Sequence, residues 1–514
     1  MSNPTAPNRE DLVPDDVIPH HALPPMRYEE LPKPLSWKKM IGPGLMLAGV
    51  ALGGGEYILW PYIVYKIGFV FIWACFLGVL TQFFLNMEIE RWTLATGESA
   101  ITGFCRMSKQ WAWVFLLCNI IPWAWPAWAT GAAQIVNWMA VNQLGVAALR
   151  GEEYVNYFGI AGLVIVGIVL TAGPVVYNTV EKIQVFLVTF ILVLLVTLAI
   201  MVVKPYAVTA MLDGAIHVGS MPDLDGSELS MLVLFGALAF AGAGGTTNLG
   251  QSNFINDKGY GMGRFIGRIT SPITGQEEAV PEVGYHFRHT DANLSRWKQW
   301  WRAANIEHFL SFFVTCILCL VLMTLVTYSL FYDADGNLLP GMETYQKGMG
   351  FIWGQAEQLG KIPTTGKYLQ TAYLLMGIAV LLTTELGVLD VVSRISADIV
   401  KVNYLRESKT WSISKLYYCF LWGEILLGSI ILLFPTFDKP VLLITISAAL
   451  NGGVMFLFSI LLLYMNNKVL SRKLSMSPLR FLAVVWACGF FGYFTLLALK
   501  GNVIPWVMSL FQAG

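Results

Sequence analysis

The stretch that decides the fold is Ile41-Gly42-Pro43-Gly44-Leu45-Met46-Leu47-Ala48-Gly49-Val50-Ala51-Leu52-Gly53-Gly54-Gly55-Glu56-Tyr57-Ile58-Leu59-Trp60-Pro61. It is an apolar run interrupted near its middle. Residues 41–52 precede the triple glycine and residues 56–67 follow it. Each flank, as a helix, rises about 18 Å, roughly half a bilayer. Each glycine costs about 1 kcal/mol of helix propensity against alanine, so a plain spanning helix gains nothing from three in a row. A carboxylate, Glu56, stands directly at the interruption.

A second run repeats the pattern: Phe235-Gly236-Ala237-Leu238-Ala239-Phe240-Ala241-Gly242-Ala243-Gly244-Gly245-Thr246-Thr247-Asn248-Leu249-Gly250-Gln251. Between and beyond these two runs the chain is a series of long apolar segments, at about 41–67, 70–92, 111–140, 156–176, 181–203, 229–256, 304–331, 368–400, 413–435, 440–465 and 479–500. Each has the roughly 20 residues that cross a hydrocarbon core as a helix. Lipid offers backbone groups no water, and the alternating ten-residue strands of a barrel are missing from the sequence, so the expected class is an all-α integral membrane protein of about 11 spans. Glycine-interrupted helices at matching places in two halves point to a midplane site in an inverted-repeat transporter. The two five-helix repeats are read as about 41–203 and 229–465, with 479–500 as an extra helix. Spans 1 and 6 are expected to unwind at about 53–55 and 242–247 and to face each other.

Composition agrees. Of 514 residues 56% are hydrophobic and 13% charged, against roughly 25% charged in a soluble domain. Mean hydropathy is +0.59. A soluble enzyme, a nucleic-acid binder and a disulfide scaffold are excluded, and Lys+Arg balances Asp+Glu at 33 each. No cofactor motif is present. The partners implied are the lipid bilayer and a small cation or small-molecule substrate. Residues 1–36 hold eight prolines without the charged and apolar regions of a signal peptide, and read as a disordered cytoplasmic tail. Lys and Arg outnumber their counterparts on one side of the spans roughly threefold, which places the N-terminus inside and the C-terminus outside a plasma (inner) membrane. The Trp- and cation-rich stretch Ser295–Arg302 suits a helix at the inner interface. Cys316-x-x-Cys319 sits within a span, with no histidine near it, and reads as packing rather than as a metal pair.

Unwinding frees carbonyls, which suit cations, and N–H groups, which suit anions. Glu56 is therefore read both as a cap of the second half-helix and as a cation ligand or proton acceptor facing the cavity, since an intramembrane carboxylate is a functional-site candidate. The substrate-binding set is Gly53, Gly54, Gly55 and Glu56 from span 1, Gly245, Thr246, Thr247 and Asn248 from span 6, Glu385 of span 8 and Asn451 of span 10. Glu56 and Thr246 are the metal-ligand candidates. Glu385 has no cation within a helical turn, whereas Asp390 pairs with Arg394 at i,i+4 as a structural bridge.

The sequence resembles the natural resistance-associated macrophage protein (Nramp) family of metal transporters, from about residue 37 to 490. The resemblance lies in Gly42-Pro43-Gly44, in Gln82 through Thr96-Gly97-Glu98, in Glu181-Lys182, in Asn248-Leu249 and in Asn467-Lys468-Val469-Leu470. It implies eleven or twelve helices in the LeuT-type arrangement with spans 1 and 6 unwound. The family's Asp-Pro-Gly-Asn of span 1 is replaced here by Gly53-Gly54-Gly55-Glu56, and its Met-Pro-His of span 6 by Gly245-Thr246-Thr247. The acidic residues of its third span fall at Trp125 and Trp128. The thioether that favours softer metals is gone, which leaves hard oxygens suited to a cation such as Mg²⁺ or an alkali ion. The leading function is a secondary active transporter of a cation, divalent by preference, working by alternating access. A LeuT-fold transporter of a small organic solute, with Trp123, Trp125 and Trp128 lining its site, and a non-transporting Nramp-like protein are the alternatives.

Overall fold

The computed structural model describes residues 11–223, 229–276, 283–434 and 439–500. Among them, ten helices are long and apolar enough to cross a membrane. In chain order they are α1 (Pro43–Ile67), α2 (Ile72–Thr96), α3 (Trp111–Asn142), α4 (Glu153–Ala172), α5 (Val176–Val202), then α7 (Asp291–Phe331), α8 (Gly366–Asn403), α9 (Ile413–Leu432), α10 (Pro440–Val469) and α11 (Pro478–Ala498). Between α5 and α7 lies α6, which is discontinuous. Its halves are α6a (Met231–Ala239) and α6b (Thr246–Lys258). Ten of the expected spans are thus helices of membrane-crossing length and the sixth is broken in two, and the protein is an all-α membrane protein.

Local chemistry sets the ends. The Ser230 side chain accepts from the Val233 N–H to cap α6a, and Thr290 caps α7 through the Asn293 N–H. Gly97 ends α2 and Gly259 ends α6b, both in left-handed conformation. Helix α3 is split at 124–126, where Pro122 and Pro126 remove ladder donors, into Trp111–Trp123 and Ala127–Asn142. At the centre stands α8, which packs against α1, α3, α5, α6b and α9. It is buried almost without interruption from Val380 to Ala397.

Two expectations change. The interfacial helix and span 7 were read as separate, but Asp291–Phe331 is one helix with a π-helical turn at Phe309–Phe313. Residues 1–36 are expected to be a disordered tail, yet 11–36 are folded onto the bundle (residues 1–10 lie outside the described residues). Val13, Ile18, Leu23, Met26 and Leu31 are buried. Strand β1 (Arg27–Tyr28) pairs in parallel with β2 (Tyr285–His286). The carbonyls of this proline-rich segment are met by donors from the bundle. Arg106 Nη1 reaches Pro19 O and Pro24 O, each at 3.1 Å. Arg296 Nη1 bonds Leu31 O at 2.9 Å and Trp300 Nε1 bonds Pro32 O at 2.8 Å. Arg106 is itself held by a two-point ion pair with Glu98, at 2.7 and 2.6 Å.

Arg106→Met is therefore expected to strand the buried Glu98 carboxylate and release the segment, at a cost of about 3–5 kcal/mol. Limited proteolysis of purified protein checks it: cleavage within 11–36 should become fast in the variant and stay slow in the wild type.

Candidate functional site

The two glycine-rich stretches do different things. In α6 the helix stops at Ala239 and restarts at Thr246. Gly242, Gly244 and Gly245 take φ of 112°, 78° and 60°, which side-chain-bearing residues rarely adopt. The backbone groups freed by the break are met mainly by one side chain of α2. Gln82 Nε2 donates to Ala239 O at 2.9 Å and to Ala241 O at 2.7 Å. Its Oε1 accepts from the Gly244 N–H at 3.1 Å and from Asn248 Nδ2 at 3.3 Å. Thr247 Oγ1 donates to Ala243 O and Gly244 O at 3.1 and 2.5 Å.

Helix α1, by contrast, does not unwind, which corrects the expectation for 53–55. It passes through the glycines as a π-helical segment, Leu52–Leu59. The bond that an α-helix makes from the Gly53 N–H to Gly49 O is replaced by a hydroxyl from α8. Thr384 Oγ1 accepts from Gly53 N–H at 2.8 Å and donates to Gly49 O at 3.2 Å. A group inserted in the ladder widens the turn. Five residues now separate donor from acceptor, as in Trp60 N–H to Gly55 O.

The glycines are there for proximity. A Cβ on Gly55 would lie 1.6 Å from Phe240 O, one on Gly54 2.7 Å from the Phe240 ring, and one on Gly53 2.6 Å from Thr384 Oγ1. So α1 rests directly on the break in α6.

Glu56 sits on the widened turn, 1% exposed. Neither carboxylate oxygen has a partner at full hydrogen-bond distance, and only the Cys316 thiol and backbone N–H groups interact with it weakly. Its neighbours are the Cys316 thiol of α7, the Gly242 backbone and, further off, Cys75 of α2. The cap role for Glu56 is not seen, because no helix starts there. A bare carboxylate in this place needs a proton or a cation.

The expected residues of α6 and α10 lie at the α6 break. Thr246 Oγ1 accepts from Trp123 Nε1 at 2.8 Å. Trp123 stacks on Phe240 at 5.6 Å and 13°, and Trp128 lies 5.6 Å from Trp123. Asn248 Oδ1 and Asn451 Oδ1 are buried without partners, and a Cβ on Gly245 would meet Asn451 Oδ1 at 1.7 Å. Glu385 is elsewhere: Oε2 accepts from the Ala129 N–H at 3.1 Å and so caps the second half of α3. Of the two metal-ligand candidates, Thr246 Oγ1 is engaged by Trp123 Nε1 and the Glu56 oxygens are not engaged at hydrogen-bond distance. Among the described residues, no three His, Cys, Asp or Glu side chains gather closely enough to hold a metal ion. Asp390 bonds Arg394 Nε with both oxygens, at 2.8 and 2.9 Å, and Arg394 also pairs with Asp257. That bridge is structural, as its spacing indicated.

Gln82, Thr384 and Phe240 did not enter the expected site. An uncharged polar side chain in the middle of an apolar span was the available signal for Gln82 and Thr384. Phe240 has no such mark.

These features define a many-helix membrane protein with a discontinuous helix at its heart. No protein-family model matches the sequence, and no curated protein is similar to it in sequence. Solved structures do share the fold. A variant of the Eremococcus coleocola manganese transporter aligns over 93% of this chain and 90% of its own, with TM-score 0.65 and 11% identity. The same transporter in complex with an aromatic bis-isothiourea substituted compound aligns over 95% and 91%, with TM-score 0.63 and 11% identity. The chain therefore has the fold of these manganese-transporter structures.

Three substitutions, one of them a control, test the packing. Gly55→Ala sets a methyl against a backbone carbonyl and is expected to cost more than the about 1–3 kcal/mol usual for overpacking. Gln82→Leu leaves two carbonyls and an N–H unpaired, at about 1–3 kcal/mol each. Gly423→Ala, where a Cβ meets nothing within 4 Å, should be neutral or stabilising by up to about 1 kcal/mol. Thermal unfolding in detergent ranks the three.

Proposed function

We propose that the protein is a secondary transporter that carries a small cation across the membrane by alternating access, with its N-terminus inside. Glu56 carries the proposal. It is a buried carboxylate without a partner at full hydrogen-bond distance, set where a π-helical turn of α1 meets the broken α6. Such a group recruits a cation, and a cation held there is dehydrated on all sides, as transport through a closed intermediate requires. The shared fold supports transport, and the manganese carried by the structural neighbour supports a metal ion as the substrate class. Glu56 offers hard carboxylate oxygens beside the thiols of Cys316 and Cys75, and Gly245 stands in place of a thioether, a set that takes Mg²⁺ or Mn²⁺ through its oxygens. The N-inside orientation follows from the excess of Lys and Arg in the segments on that side.

A small organic cation is the second reading. The Trp123–Phe240 stack with Trp128 beside it gives an aromatic wall at the break, and such faces attract ammonium groups.

Uptake into reconstituted vesicles, at equal protein per vesicle, tests the assignment with Mg²⁺, Mn²⁺ and alkylammonium ions offered separately. Glu56→Gln keeps the volume and removes the charge. Folding should be retained and uptake of the preferred cation reduced at least about tenfold, a loss of about 1.4 kcal/mol or more in transition-state binding. Wild-type uptake in Glu56→Gln would remove Glu56 from the pathway. Transport of alkylammonium in preference to either metal would select the second reading.

A further inference from the structure

Helix α2 packs along α6b, and a row of its polar residues falls on the face that meets it. Gln82, Asn86, Glu90, Thr93 and Gly97 follow one another at intervals of three or four residues, so they share one side of the helix. Three bonds tie this side to α6b. Asn248 Nδ2 donates to Gln82 Oε1 at 3.3 Å, Gln251 Nε2 to Glu90 Oε1 at 2.8 Å, and Asn256 Nδ2 to Gly97 O at 2.9 Å. The seam so formed starts at the break in α6. It ends at Gly97 and Asn256, which line a cleft of about 270 Å³ together with Glu98, Asp257 and Asp398.

The three bonds are ordinary helix packing, but they leave much of the seam unsatisfied. Asn248 Oδ1, Gln251 Oε1, Glu90 Oε2, Thr93 Oγ1, Asn256 Oδ1 and both polar atoms of Asn86 are buried with no hydrogen-bond partner among the described residues. Asn86, Glu90 and Gln251 are wholly buried. Each unpaired buried group costs about 1–3 kcal/mol. Nearly all of them here are oxygens, which a cation satisfies and an anion does not.

The charge of the seam lies on Glu90. Besides Gln251, its Oε1 is approached by His308 Nδ1 of α7, at 3.4 Å. That imidazole is stacked between Phe83 and Phe312, at 5.8 and 4.8 Å. The other charged groups that face Glu90 are Arg480 of α11 and Glu307 of α7, with the Tyr260 hydroxyl beyond α6b. Arg480 is committed to Glu88, at 3.3 Å, and to Asn305. Glu307 is compensated elsewhere: its Oε1 accepts from the Gly42 and Gly44 N–H groups, both at 3.2 Å, at the positive end of α1. The Tyr260 hydroxyl donates to Met40 O. What remains is one carboxylate among neutral amide oxygens.

We propose that Glu90, with Asn86 and Gln251, forms a second cation site, apart from Glu56, that takes a small monovalent metal ion of the sodium class. Carboxylate and carboxamide oxygens suit hard cations. A divalent ion would leave a net positive charge in low dielectric. A proton on Glu90 would satisfy that side chain alone and leave the oxygens of Asn86 and Gln251 unpaired. In a secondary transporter such an ion is the coupling ion, a role that rests on the transport reading; the site itself does not.

Thermal unfolding of the purified full chain in detergent tests the site, with sodium chloride titrated against choline chloride at equal ionic strength. Sodium should raise the midpoint in a concentration-dependent way and choline should not. Glu90→Gln should weaken the sodium affinity at least about tenfold, and in Glu56→Gln the sodium response should persist. Asn86→Leu gives a second, independent reading. It removes an amide that makes no hydrogen bond, so the sodium-free variant should unfold no earlier than the wild type, yet its sodium affinity should fall at least about fivefold. Equal responses to sodium and choline overturn the proposal. So does a sodium response that survives both Glu90→Gln and Asn86→Leu, or one that disappears in Glu56→Gln. A midpoint that depends on pH through Glu90 but not on sodium would put a proton there instead and overturn it as well. Because the readout is binding, failure of uptake in vesicles leaves this result standing.

Discussion

Six residues of α6, Phe240 to Gly245, lie outside any helix inside an apolar bundle, and their backbone groups must find partners without water. Much of the surrounding structure answers that need. Gln82 of α2 supplies two donors and an acceptor to the stretch, and Thr247 supplies a third donor. Because Phe240 O then projects toward α1, the facing residue there has to be glycine. Because α1 is pressed so close, Thr384 of α8 reaches into its ladder and the helix widens. One break thus fixes residues on α1, α2 and α8 that are far apart in sequence.

Buried charge in this bundle falls into two kinds, and partnership separates them. Asp390 with Arg394, Glu98 with Arg106 and Glu88 with Arg91 are paired at hydrogen-bond distance. Glu385 is buried too, but an N–H of α3 occupies one oxygen and gives it an architectural task. Glu56 has no such claim on either oxygen. Burial alone does not distinguish these residues. The missing partner does, since an isolated carboxylate in low dielectric is tolerated only where a proton or a cation visits it.

The N-terminal segment shows how composition misleads. Its eight prolines and low hydropathy match a solvated tail. Yet prolines also reduce the entropy lost on ordering an extended chain, and five apolar side chains at irregular spacing suffice to seat it. No helical or strand period links them, so no periodicity announces the contact. The donors that complete it, Arg106, Arg296 and Trp300, lie far along the chain.

Hydropathy and length determined the helices, because lipid leaves a chain few other ways to satisfy its backbone. The glycines of 242–245 marked the break in α6, and i,i+4 spacing gave the Asp390–Arg394 bridge. These are local properties, and sequence records local properties directly. The tertiary structure alone decided the meaning of Gly53-Gly54-Gly55. Glycine both permits a chain to unwind and permits a neighbour to approach, and a sequence cannot tell the two apart. The decision rests on Phe240 and Thr384, 185 and 331 residues from the glycines they touch, and only folding brings them there.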